Sequence, residues 1–310
     1  MWRWDSIEDL ERWWKLKIII GVDSSEESQN AVRLIGRLAF AGAQVQLVHV
    51  IERLWPEEWK NKPQSANDLL TNFMKMAERE GEQILRKSEQ LAQGFDIKVE
   101  KSLKFSSTIA NQVLESAKDQ NASLIAVGSR DESIIGKILI GSVGRKLIVS
   151  SPQSVCICRT DFTESSGSID AVFATDHSEY ANQCADILLA LAPKGLRKLT
   201  VMTAYPKHLV KVMKDISPQV PANISKWLED HMELQNQILK ERLSKLGIEI
   251  QSRVIEGEPE AAIETTMQDT QSKLLIMGAQ GHGFIERLVT GSLTFRQAAS
   301  GKHSVLILRA

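Results

Sequence analysis

Cysteine is scarce in this sequence, with three in 310 residues. An odd number without framework spacing argues against a disulfide scaffold and against a zinc site, and suggests a reducing cytoplasm. No apolar run approaches the roughly 18 residues of a membrane span. The first residues carry Glu8, Asp9 and Glu11 among tryptophans, which does not read as a signal peptide. Basic and acidic residues nearly cancel, 38 against 39, so there is no basic stripe to favour nucleic acid. No Gly-x4-Gly-Lys-Ser/Thr loop occurs, which excludes a conventional phosphate-loop ATPase. No Ser/His/Asp set stands out, although a triad is defined in space rather than in sequence.

What is present is an ordinary globular composition, 43% hydrophobic and 25% charged, in a chain long enough for about two domains of roughly 100–200 residues. Residues 1–15 hold Trp2, Trp4, Trp13 and Trp14. Trp4, Ile7, Leu10 and Trp14 share approximately one helical face, as in a short extension that packs on its own domain or on a second subunit.

From Leu16 to Val22 the chain is almost continuously apolar and ends at Asp23-Ser24-Ser25. A strand apolar on both faces belongs in a parallel sheet covered on both sides. Helical spacing follows over Ser28–Phe40, then a second strand over Val45–Ile51. A long charged helix is predicted over Asn67–Gln93, with Leu69, Phe73, Met76, Ile84, Leu85 and Leu91 as its apolar side. Further strands are predicted at Ile97–Leu103, Ser123–Val127 and Val155–Cys158, with helices at Ser107–Asp119 and Ser142–Val149. This alternation implies a doubly wound parallel sheet. Cys156 and Cys158 fall on one face of the fifth strand, where they pack rather than bond each other, and Cys184 reads as a small core residue. The loop after the second strand carries Trp55 and Trp59, and its equivalent in the second half spans Val210–Trp227; both are candidate contact surfaces.

Arg159–Ser168 is polar and reads as a linker, after which the pattern repeats. Asp23 answers to Asp176 and Gly94 to Gly247, 153 positions on; Gly128 answers to Gly278, Gly141-Ser142 to Gly291-Ser292 and Ser154 to Ser304, 150 on. Ordered, near-constant offsets indicate a duplication of a whole domain. The expected layout is an extension over 1–15, a first domain over 16–160, a linker over 161–168 and a second domain over 169–310.

The most informative stretch runs from Lys273 to Ser292. Leu274–Met277 reads as a buried strand ending in Gly278; Gly281 follows, and Gly291-Ser292 opens a helix nine residues later. Glycines past a strand let main-chain N–H groups approach a ligand, and a helix start adds unpaired N–H groups and a positive dipole end. The alternative is a plain strand-to-helix turn, and spacing alone does not separate the two.

The pattern Gly278-x2-Gly281-x9-Gly291-Ser292 resembles the ATP-binding signature of the universal stress protein family, and the surrounding chain from Ile169 to Arg309 is similar to that family too. Each half resembles one such domain: a five-stranded parallel sheet with helices on both faces, of the adenine nucleotide alpha-hydrolase-like kind. Ser-Gly-Gly-x-Asp-Ser does not follow the first strand, which separates the chain from adenylate-forming pyrophosphatases of related fold. The resemblance implies ATP, with or without Mg, in the second half. Ala174, Thr175 and Asp176 would lie on the adenosine side, and Ala204 would offer main-chain groups to adenine. Met277 and Gly278 would border the nucleoside, and Gly281, Gly291, Ser292 and Leu293 would hold the phosphates, with His282 inside the loop. Asp176 also reads as a helix N-cap. The resemblance further implies pairing of the two halves face to face, Val155–Cys158 against Val305–Leu308, so that one chain equals a family dimer.

In the first half Asp131 stands where the second half has Gly281. A carboxylate about 4 Å from a phosphate oxygen costs up to roughly 4 kcal/mol at an effective dielectric near 20, which Arg130 or a divalent ion would partly offset. One competent site is therefore expected, in the second half. The functions in view are a regulatory module read by an unidentified protein partner, a slow metal-dependent ATPase or self-phosphorylating enzyme using Asp176 and Ser292 or Thr290, and a nucleotide-free scaffold. No dedicated catalytic base and no resident metal ligands are assigned.

Overall fold

The computed structural model describes residues 16–53, 64–129, 132–134, 137–159, 168–206, 224–280, 291–300 and 302–310. In the first half the order is β1 (Lys17–Gly21), α1 (Glu26–Leu38), β2 (Gln44–Glu52), α2 (Gln64–Gln93), β3 (Val99–Ser106), α3 (Ile109–Asp119) and β4 (Leu124–Gly128). A short antiparallel ribbon follows, β5 (Glu132–Ile134) with β6 (Lys137–Leu139), then α4 (Ser142–Ser150) and β7 (Ser154–Cys158). The second half has β8 (Ile169–Ala174), α5 (Glu179–Leu191), β9 (Leu196–Tyr205), α6 (Ile224–Leu243), β10 (Glu249–Glu256), α7 (Pro259–Asp269), β11 (Leu274–Gly278), α8 (Ser292–Ser300) and β12 (Ser304–Leu308).

The apolar runs become central strands because both sheet faces are covered. Ile18 and Ile20 are buried with residues of α1 and α2, while Ile19 is buried on the opposite face with residues of α3 and α4. Each fully buried side chain of this size contributes about 1.5–3 kcal/mol relative to exposure. The strand order is β3-β2-β1-β4-β7 in one half and β10-β9-β8-β11-β12 in the other, parallel throughout. The order reverses between the first and fourth strands of each half, and that edge is where open α/β sheets take ligands.

The halves meet edge to edge, not face to face. β7 and β12 pair antiparallel, with Cys156 opposite Leu306, and fuse the two five-stranded sheets into one of ten strands. All five residues of both strands are buried, so an unsatisfied strand edge here would be costly and ladder pairing removes that cost. Ser304 Oγ accepts the Arg159 N–H at 3.0 Å, and Ser154 Oγ accepts the Arg309 N–H at 3.2 Å. Cys156 and Cys158 are buried free thiols with sulfurs 3.7 Å apart, and Cys184 is also buried.

Two helix expectations change. Leu69, Phe73 and Met76 are exposed, whereas Leu85 is buried and Ile84 and Leu91 pack at the core margin, so only the C-terminal part of the expected apolar side of α2 joins the core. The loop placed over Val210–Trp227 ends sooner, since Ile224 opens α6 and Trp227 stacks on His231 within it. The extension, the linker core and the Trp55–Trp59 loop lie outside the described residues.

Candidate functional site

The two halves begin their first helices in the same way. Ser25 caps α1 by accepting the Ser28 N–H, and Ser178 caps α5 by accepting the Ala181 N–H. Asp176 is thus not the N-cap. It sits two residues earlier, where its Oδ1 accepts the Ser178 N–H at 3.0 Å, just as Asp23 accepts that of Ser25 at 2.8 Å. The aspartate shapes the turn and leaves capping to the serine.

At the end of β8, Thr175 prolongs the ladder by donating its N–H to the Met202 carbonyl at 3.0 Å. β9 continues past this point to Tyr205. Main-chain groups alternate between neighbours along a parallel strand, so Ala204, like Met202, directs its N–H and C=O toward β8, beyond the last rung. Met277 lies beside Ala174 in register, and Gly278 closes β11. The strand edge therefore gathers Ala174, Thr175, Asp176, Ala204, Met277 and Gly278.

α8 is tied to the same edge. Thr294 Oγ1 donates to the Gly278 carbonyl at 2.8 Å, and the Gly291 N–H donates to the Ala279 carbonyl at 2.7 Å. The Gly291 amide is thereby committed to the protein's own main chain. The first amides of α8, those of Ser292 and Leu293, have no intrahelical acceptor by helix geometry, and the Ser292 side is exposed. Gly281 and His282 lie outside the described residues, as do Arg130 and Asp131 in the first half.

Sequence reasoning missed four residues at this edge. His177 occupies the left-handed region at φ 57, a conformation more tolerable for His than for most residues. Its Nε2 is 2.9 Å from both Asn236 Oδ1 and Thr203 Oγ1; Thr203 donates to Asn236 Oδ1 at 2.8 Å, and Asn236 Nδ2 donates to the Arg253 carbonyl at 3.1 Å. With its amide nitrogen so engaged, Asn236 presents an oxygen that only accepts, which puts the proton on His177 Nε2. Asn236 and Thr203 are buried, and nothing in a one-dimensional pattern marks a mid-helix asparagine as buried. Tyr180 is the fourth. Its ring lies 3.3 Å from where a Cβ on Gly278 would be, and its Oη accepts the Ala310 N–H at 3.4 Å. Burial pushes the Tyr180 phenol and the neighbouring Cys184 thiol up, each to about 12.

The equivalent place in the first half is built differently. A Cβ on Gly128 would lie 2.2–2.4 Å from main-chain atoms of Glu27 and Ser28. There α1 presses its backbone onto the strand end, so Gly128 is glycine for helix packing. At Gly278 the nearest atoms are the Cys184 sulfur at 3.2 Å, then the Gln280 carbonyl and the Tyr180 ring at 3.3 Å.

These features define a doubly wound α/β protein, duplicated within one chain, with its ligand edge at the reversal of strand order. The model of the universal stress protein family matches residues 16–159 and again 170–309, and the chain belongs to that family. It is 23% identical over 307 residues to a universal stress protein of Mycolicibacterium smegmatis, covering 94% of this chain and 96% of that one. A universal stress protein of Synechocystis is 28% identical over 190 residues, 60% of this chain and 58% of that one. Among solved structures, a universal stress protein from Archaeoglobus fulgidus superposes with a TM-score of 0.64 at 17% identity, covering 94% of this chain and 98% of that one. A protein described as a universal stress protein from Pseudomonas aeruginosa gives 0.63 at 14%, covering 96% and 94%.

Proposed function

We propose that the second half of this chain, residues 169–310, binds ATP as a regulatory module in the cytoplasm, and that the first domain, 16–160, carries a degenerate site. The observation that supports it is the convergence of Ala174–Asp176, Met277-Gly278 and the start of α8 on one strand edge, with Gly291 2.7 Å from Ala279. The residues suit a nucleotide. The main chain of Ala204 faces the cleft for a base, and Met277 with Ala174 forms an apolar wall. The Ser292 and Leu293 amides and the Ser292 hydroxyl form the donor set for an anion at a helix start. Gly291 serves this set by placing the helix and not as a donor, since its amide is already engaged. Gly281 is assigned to the donor set on the strength of the sequence signature alone, with His282 next to it in sequence.

A regulatory role suits this edge better than rapid turnover. Asp176, the acid closest in sequence to the strand end, has one carboxylate oxygen in the turn that starts α5, which is an organising use. Hydrolysis, with Mg or without, is then at most slow. Occupancy of the site biases a state that a protein partner reads in the stress response. The direct test is calorimetric titration of the whole chain with ATP, together with the nucleotide content of the purified protein. One tight site per chain is the expected outcome. Two equal sites would overturn the asymmetry, and none would favour the scaffold reading.

A further inference from the structure

Arg145 and Phe295 occupy the same position in the two copies, 150 residues apart, each the fourth residue of its helix. The Arg145 guanidinium lies over the Phe295 ring, 6.0 Å from its centroid. α4 packs on α8, and the ribbon strand β6 of the first half touches α8 as well. The helix whose start was assigned above to the phosphates is thus flanked by two elements of the other half.

The placement of the charge follows from helix geometry. Phe295 is three residues beyond Ser292, about 4.5 Å along the axis at 1.5 Å per residue. Helical side chains tilt toward the N-terminus, so the Phe295 ring covers the turn that contains Ser292. A cation stacked on that ring stands beside the first turn of α8, on an arm long enough to swing toward its end. Arg145 is exposed, so its guanidinium keeps donors for an anion while the ring restricts where it can go. Exchanging the halves would not give the same result, because the first copy would then meet a phenylalanine from its sibling. The cation at this position comes from the first copy alone.

We infer that Arg145, contributed by the first half, is a positioning and specificity residue for the phosphates of the nucleotide bound in the second half. This rests on the nucleotide reading above and adds that the second site is completed across the junction. It also gives the first domain a use that does not require a nucleotide of its own.

The test is calorimetric titration of the intact chain, wild type, Arg145→Ala and Arg145→Lys, with adenosine, AMP and ATP, each at low and raised salt. Loss of one charge-assisted contact predicts about tenfold weaker ATP binding in Arg145→Ala. A smaller loss is expected for AMP and none for adenosine, and Arg145→Lys, which keeps the charge but not the planar stack, should recover part of the ATP affinity. The ATP affinity of wild type should also fall more steeply with salt than that of Arg145→Ala. Equal weakening of adenosine and ATP would mean that Arg145 merely props α8, and unchanged ATP binding would mean that it does not reach the phosphates; either overturns the inference while leaving the site intact. A wild-type chain that binds neither ligand would overturn the nucleotide reading and this inference together.

Discussion

Phe40 forms an antiparallel bridge with Pro193, the residue that holds the same place in the second copy, 153 positions on. A position that meets its own counterpart marks a two-fold relation, as in an isologous interface between subunits. Cys156 opposite Leu306 and Arg145 over Phe295 are counterparts as well. So are the two serine-to-arginine hydrogen bonds that flank the β7–β12 junction. Both helices before the Phe40–Pro193 bridge end on an alanine in the left-handed region, Ala39 at φ 47 and Ala192 at φ 44. That conformation is unfavourable for a residue with a Cβ.

Ser304→Ala should destabilise the chain by about 1–3 kcal/mol, because it removes the acceptor of the buried Arg159 amide, and Ser154→Ala by about 1 kcal/mol, because the Arg309 amide is only partly buried. The two serines sit at opposite ends of the paired strands, roughly 13 Å apart at about 3.3 Å per residue. Their effects should therefore add. Urea unfolding of the single and double variants measures this; a double variant no worse than either single would show that the two bonds are not independent.

Gly128→Ala should cost about 2–4 kcal/mol, since the new methyl meets the main chain of α1 and the helix must shift. Gly278→Ala meets the Cys184 sulfur at 3.2 Å and the Gln280 carbonyl and Tyr180 ring at 3.3 Å, and about 1 kcal/mol is expected because a shift of a few tenths of an ångström relieves each contact. Equal losses in chemical denaturation would refute the difference in helix placement between the halves.

Asn236→Ala removes the acceptor shared by His177 and Thr203 and one hydrogen bond to the Arg253 carbonyl. A loss of about 1–3 kcal/mol is expected, with the imidazole resonances of His177 shifting in NMR spectra. Asn236→Asp should restore the acceptor but not the donor, and recover stability only in part.

The thiols should resist alkylation in the native state at pH 8. Burial raises Cys184 to about 12 and Cys158 well above its ordinary value, and the thiolate is the reactive form. Because the folded pKa of Cys184 and Tyr180 lies above the unfolded one, their contribution to stability is complete below about pH 9. It declines as pH rises toward 12. Urea midpoints should hold between pH 8 and about pH 9 and fall from there to pH 11.

Gly281→Asp, which copies Asp131 into the second half, should abolish ATP binding, and Asp131→Gly should strengthen a first-half site. Calorimetric stoichiometry reads both. A Gly281→Asp chain that still binds one ATP at wild-type affinity would remove the charge argument.

Much of the architecture was legible because it rests on local and periodic signals. Ile18–Ile20 had to be a strand covered on both faces, Gly94 and Gly247 ended helices, and the regular offsets exposed the duplication. The gathering of Ala174, Met277 and Gly291 was foreseeable once the strand order was assumed. The β5–β6 ribbon was not, as three-residue strands carry too little pattern to register. Asp176 was misread as a cap since an aspartate two residues before a helix and one at its boundary look alike in sequence.

Composition, hydrophobic period and the regular offsets determined two doubly wound units in one chain, because these properties act within a few residues of chain. Only the tertiary structure decided that the halves join edge to edge and that α1 closes on Gly128 while Tyr180 stands beside Gly278. It also brought His177, Thr203 and Asn236 together and set Arg145 over Phe295. Those contacts span tens to hundreds of residues, and they depend on which faces become adjacent when two cores are buried at once.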